Sequence, residues 1–195
     1  MPFLPILTAT ALAAVPAPSA EDRVLFAAFK GVCRNVRSLD AMARAARKGG
    51  WRAVHAEAHP NLAKLVNGGR EALLKEDPDA VLAGAQYART VGGRTLWLVT
   101  SRYANVGGYW ANGCRVYHFD AVTPLPPSTL VALMGRPMSG TMPLPDGGTK
   151  LLWEPGWKSG HSVEVSFTTG ADPISQKFGL KGQALTAHAI GRISK

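Results

Sequence analysis

Two cysteines, Cys33 and Cys114, constrain this chain more than any other feature, because their meaning depends on the compartment in which the chain folds. The first twenty residues contain no charged side chain, and Phe3 to Val15 form an apolar run too short to span a bilayer, for which about 20 residues are needed. This pattern predicts a secretory signal peptide over residues 1–20, with small residues placed for cleavage after Ala17 or Ala20. Its positive region is reduced to the terminal amine, since the first basic residue is Arg23. Exported chains meet oxidising conditions in which paired thiols persist as disulfides. Two cysteines permit only one connectivity, so a Cys33–Cys114 bond is expected. The loop this bond closes, roughly 80 residues, corresponds to a chain-entropy stabilisation of about 4 to 5 kcal/mol. Neither a CxxC redox motif nor a Cys/His zinc spacing occurs, which argues against thiol catalysis and structural zinc.

Hydrophobic periodicity then divides the remainder, residues 21–195, which is expected to form one α+β domain. Leu25, Phe29, Val32 and Val36, with Phe26 and Cys33 beside them, recur at helical spacing and define a buried stripe that includes the first cysteine. Ser38 can cap a second helix that runs to Gly49–Gly50, with Trp51 packing back on the pair. Pro60 signals a short third helix, ended by Asn67–Gly68–Gly69. From Ala85 the period changes to two. Gln86–Val91 and Arg94–Ser101 read as a hairpin turned by Gly92–Gly93, and Cys114–Phe119 as a third strand on which Cys114, Val116 and His118 share one face. Pro126–Pro127–Ser128 opens another short helix, and Met138 to Gly148 reads as a Pro/Gly-rich loop, a candidate lid or rim. Three further strands are expected at Lys150–Trp153, Ser162–Thr168 and Leu180–Ile190. The expected architecture is therefore N-terminal helices packed on one side of a largely antiparallel sheet of about six strands, with a short helix inserted between two strand triplets.

The order of Phe29 and Cys33, a short helix ending in Gly50–Trp51, a glycine-turned hairpin and a second cysteine in a later strand resembles small exported proteins of Gram-negative, especially alphaproteobacterial, genomes that have no assigned function. The resemblance implies a periplasmic location and carries over no catalytic residue.

Chemistry is sparsely signalled. His55 and His59 flank Glu57 in HAEAH, which is neither zinc-protease order, and Pro60 places them before a helix and not within one. No metal and no cofactor is expected. His118, His161 and His188 lie on or beside predicted strands, with Asp120, Ser162 and Glu164 as possible partners, yet no spacing makes a triad and no GxSxG elbow occurs. The glycine pairs lack the order of a phosphate-binding loop. Tyr103, Tyr109 and Trp110, together with Trp153 and Trp157, cluster near loops and form the best candidate lining of a pocket, to which His118 and His161 are added. Lys30 to Arg52 carries seven basic residues against one acid, Asp40, within a chain of net charge +9. On amphipathic helices that makes a cationic outer face able to meet an anionic membrane or polymer. The function expected is thus an exported binding or accessory protein whose partner is a small molecule or an envelope component, not nucleic acid. The alternatives are a small hydrolase-like enzyme using His118 or His161, and an envelope protein docking through its basic helices.

Overall fold

A computed structural model describes residues 17–192. The expected signal segment falls mostly outside the described residues. Its last part leads into Ser19, whose hydroxyl accepts a hydrogen bond from the Asp22 backbone N–H (3.0 Å) and caps helix α1, Ala20–Cys33. Ser38 caps α2, Leu39–Lys48, in the same way through the Ala41 N–H (3.2 Å). The remaining helices are α3 (Pro60–Glu76), α4 (Pro127–Met134) and α5 (Pro173–Phe178), each with proline in its first turn.

Among the described residues the sheet has eight strands, not about six. They are β1 (Arg52–Val54), β2 (Val81–Val91), β3 (Arg94–Ala104), β4 (Tyr109–His118), β5 (Gly140–Pro143), β6 (Thr149–Trp153), β7 (His161–Thr168) and β8 (Gly182–Arg192). The spatial order is β1-β2-β3-β4-β8-β7-β6-β5, and every neighbouring pair is antiparallel. Two four-strand meanders are thus joined where β4 and β8 run side by side. The two strands that periodicity misses, β1 and β5, are the edges. They are three and four residues long, and β5 ends in Pro143, which blunts its edge against further pairing. Segments that short hold no alternation to detect.

Helices cover both faces of the sheet, not one. On the near face α1, α2 and α4 bury Leu25, Phe29, Met42 and Leu130 against Leu98, Val116, Trp153 and Leu185. On the far face α3 seats Leu62 against Val99, Tyr117 and Phe119. The expected stop at Asn67–Gly68–Gly69 does not end α3, which continues to Glu76. Glycine disfavours a helix by about 1 kcal/mol relative to alanine. Here the missing side chain has a use: a Cβ on Gly68 would stand 3.2 Å from the ring of Phe178, so the glycine admits the aromatic that ends α5. The expected loop at Met138 to Gly148 contains β5 and a turn anchored by Asp146. That carboxylate accepts hydrogen bonds from the Thr168 hydroxyl and the backbone N–H groups of Thr169 (2.7 Å), Gly170 (3.1 Å) and Gly148 (3.0 Å). These donors, led by the Thr168 hydroxyl, hold its pKa down at about 2.

Cys33 and Cys114 are both fully buried and form a disulfide, with their Cα atoms 5.3 Å apart. The bond ties the last residue of α1 to a central strand across a sequence separation of 81. Replacing both cysteines by alanine is expected to lower the unfolding free energy by about 4 kcal/mol, measured by urea denaturation, whereas a loss under about 1 kcal/mol would show that the cross-link is dispensable to this fold.

Candidate functional site

The strand alternation distributes the residues singled out from the sequence over two faces. Cys114, Val116 and His118 face α1, with Trp110 and Asn112 on the same side, so Arg115 and Tyr117 face α3. His118 and His161 both lie on the near face, 9% and 3% exposed, away from the far-face cleft described below. Burial depresses the pKa of each; Arg94 adds to this for His118, and Arg37 and Lys158 for His161. Trp153 is in the near-face core, where its indole N–H donates to the Arg136 carbonyl (3.2 Å). Trp157 packs on Phe29 of α1 with ring centroids 5.2 Å apart, and Trp110 lies beneath the Arg102 guanidinium. Only Tyr103 and Tyr109 come together on the far face, 6.4 Å between centroids. The structure therefore divides the proposed aromatic lining between two sides of the sheet. The HAEAH segment makes a short 3-10 turn over Ala56–Ala58; His59 then caps α3 by accepting from the Asn61 N–H (3.2 Å) and stacks on Phe119.

A different site appears between α3 and the far face. Its inner end is closed by Leu62, Val99 and Tyr117. Beyond that contact, the sheet-facing side of α3, Leu65, Gly69, Leu73 and Asp77, stands over a cleft of about 1140 Å³, with Phe178 and Leu180 along another wall. The space exists because the strands beneath carry small residues in register. Gly84 pairs with Ser101, Ser101 with Gly113, and Gly113 with His188. Leu73 and Ile190, 41% and 56% exposed, mark the open mouth. Tyr103 donates its hydroxyl hydrogen to Asp77 (2.6 Å) and fastens the end of α3 to the sheet.

The floor is electrostatically distinct. Arg115 folds back over Gly113, where a Cβ would meet the guanidinium and would lie 2.9 Å from the Ser101 hydroxyl oxygen. Glycine at 113 is thus what lets the guanidinium lie on the sheet. There Nη1 donates to Ser101 Oγ (3.0 Å) and Nη2 to His188 Nε2 (3.1 Å). Because arginine only donates, Nε2 must accept, and the histidine proton sits on Nδ1, facing Glu164 Oε1 at 3.9 Å. The other Glu164 oxygen pairs with Lys150 at 3.1 Å. Burial lowers the His188 pKa to about 4; Arg115 and Lys150 push the same way, against Glu164. The imidazole is neutral at pH 7. Among the described residues no carboxylate forms an ion pair with Arg115.

This arrangement does not make a hydrolytic triad. Ser101 and His188 lie two strands apart, about 10 Å at the spacing of paired strands. The guanidinium occupies the space between them and engages the nitrogen that a general base would need. What the geometry offers is a fixed cation in an apolar-walled cleft. Comparison with protein-family models, curated proteins and solved structures finds no match for the chain.

Neither Arg115 nor Ser101 belongs to a motif, so the sequence alone does not single them out. The available signal was the Gly113-x-Arg115 alternation, which leaves a side-chain gap beside a long cation on one strand face.

As pH falls from 6.5 toward 4, the unfolded chain binds a proton that folded His188 refuses, so this group removes stability across that window. NMR titration of the imidazole C–H resonances should place the His188 inflection near 4, and Arg115→Gln should move it upward. An inflection at the ordinary histidine value of 6.5 would contradict an imidazole desolvated and held against Arg115.

Proposed function

We propose that the protein is an exported binding protein that holds an apolar or amphiphilic ligand in the cleft between α3 and the sheet, without transforming it. The cleft carries this reading. It is about 1140 Å³, and apolar side chains such as Leu65, Leu73, Leu82 and Ile190 share its lining with polar and charged groups, among them Arg70, Glu76, Asp77 and Arg115, so apolar walls and convergent polar groups meet as they do in small-molecule sites. The disulfide agrees with folding in an oxidising compartment such as the periplasm. Among the described residues no helix is long and apolar enough to cross a membrane.

The hydrolase alternative relies on His118 or His161, and their burial on the opposite face gives it less support. For envelope docking, the basic residues from Lys30 to Arg52 are exposed on α1, α2 and β1 and, for Arg34 and Arg37, on the turn that joins the two helices. They form the solvated side of helices whose other side is core, the ordinary arrangement for an amphipathic surface helix.

Gly69 offers a direct test, because a Cβ built there meets nothing within 4 Å and the position lines the cleft. Tryptophan at this position should fill the cleft and should also favour the helix over glycine. Wild-type protein is expected to raise the emission of Nile red, a neutral apolar dye, and Gly69→Trp to abolish the rise while leaving Tm unchanged or higher. Equal dye binding by both proteins, or none by the wild type, would rule the cleft out as the site.

A further inference from the structure

We propose that the ligand of this cleft is an anionic amphiphile of the fatty-acid class, its carboxylate received by Arg115; this rests on the cleft being the binding site. Three features of the floor specify the headgroup. First, Arg115 is held in place before any ligand arrives, since Ser101 and His188 each accept one of its N–H bonds. Two of its five donors are engaged and three remain for a ligand. Second, the two groups that hold it are uncharged. The Ser101 hydroxyl carries no charge, and His188 is neutral at pH 7. The carboxylate beside His188, Glu164, already pairs with Lys150. The guanidinium charge is thus oriented but not neutralised at short range. Third, Gly113 gives it room without a Cβ, so its planar fork lies in the floor of the cleft.

A planar cation with free donors matches a two-oxygen carboxylate better than a hydroxyl, because charge-assisted hydrogen bonds are about twice as strong as neutral ones. It also discriminates against a cationic headgroup by repulsion. The surrounding walls specify the rest of the ligand. Leu65, Leu73, Leu82 and Ile190 flank the floor with apolar surface, part of it exposed at the mouth. An aliphatic chain lying under α3 would cover that surface and remove it from water. The two carboxylates in the wall, Glu76 and Asp77, lie on the last turn of α3 and at its C-terminal cap, and Asp77 is held by the Tyr103 hydroxyl.

The test is displacement of Nile red by three ligands that share a twelve-carbon chain, dodecanoate, dodecanol and dodecyltrimethylammonium, each below its micelle concentration. Dodecanoate is expected to displace the dye at a concentration about tenfold or more below that of dodecanol, with the cation weakest. Arg115→Gln should bring the anion-to-alcohol ratio close to one. Arg115→Lys, which keeps the charge but loses the planar fork, should give an intermediate ratio. Equal displacement by anion and alcohol in the wild type would overturn the headgroup assignment and leave the cleft standing. So would a ratio that Arg115→Gln does not change in a folded protein. Failure of all three ligands, with dye binding insensitive to Gly69→Trp, would overturn the cleft reading and this inference together.

Discussion

Strand β4 joins the two layers of the molecule because consecutive residues along it face opposite ways. Cys114 points to the near face and is bonded to the end of α1, and Arg115 points to the far face and lies in the floor of the cleft. A shift of one residue in register would exchange these roles and place a guanidinium in the core against α1. The register is held by β3 on one side and β8 on the other, and by the covalent bond from above. Near-face packing therefore determines where the far-face cation sits. The same bond anchors α1 over the middle of the sheet, where the two meanders meet.

The two faces are built to different ends. The near face is filled by large side chains from both layers, Phe29, Met42, Leu130 and Trp153 among them, all nearly inaccessible to solvent. The far face is closely filled where Leu62 meets Val99, Tyr117 and Phe119. Along the row from Gly84 to Gly113 the sheet lacks the side chains that would pack against α3, and α3 replies with Gly69. Interiors normally close to crystal-like packing density, so a row of small residues beneath a helix leaves space that neither layer fills. The helix does not collapse into it because both of its ends are fixed, by the Leu62 contact at one and the Tyr103–Asp77 hydrogen bond at the other.

Much of this fold was legible in the sequence. The stripe of α1, the cap at Ser38, the helix start at Pro60, the Gly92–Gly93 hairpin and the alternation of Cys114, Val116 and His118 each rest on local chemistry and periodicity, and the structure contains all of them. The disulfide followed from cysteine number and the export pattern. The errors concern elements defined by tertiary contact. Gly68 looked like a helix stop because its compensation, Phe178, is over a hundred residues away in sequence; β1 and β5 are too short to show a period. A sheet covered on both faces was hidden because the first half of α3, through Leu62, belongs to a different layer from α1 and α2. The candidate site was less legible still. Aromatic residues attract attention in a sequence, but Trp153 and Trp157 serve the core, and the cleft is made by glycines and one arginine whose neighbours come from three strands.

The central claim is that one face of the sheet is sealed and the other receives a ligand through the Arg115 floor. Methyl NMR spectra of the protein, recorded while dodecanoate is added, test it most directly. The account predicts that shifts concentrate on Leu65, Val66, Leu73 and Ile190, with the near-face methyls of Val32, Leu130 and Leu185 unmoved. Shifts centred on those near-face methyls, or no shifts at saturating dodecanoate, would contradict it.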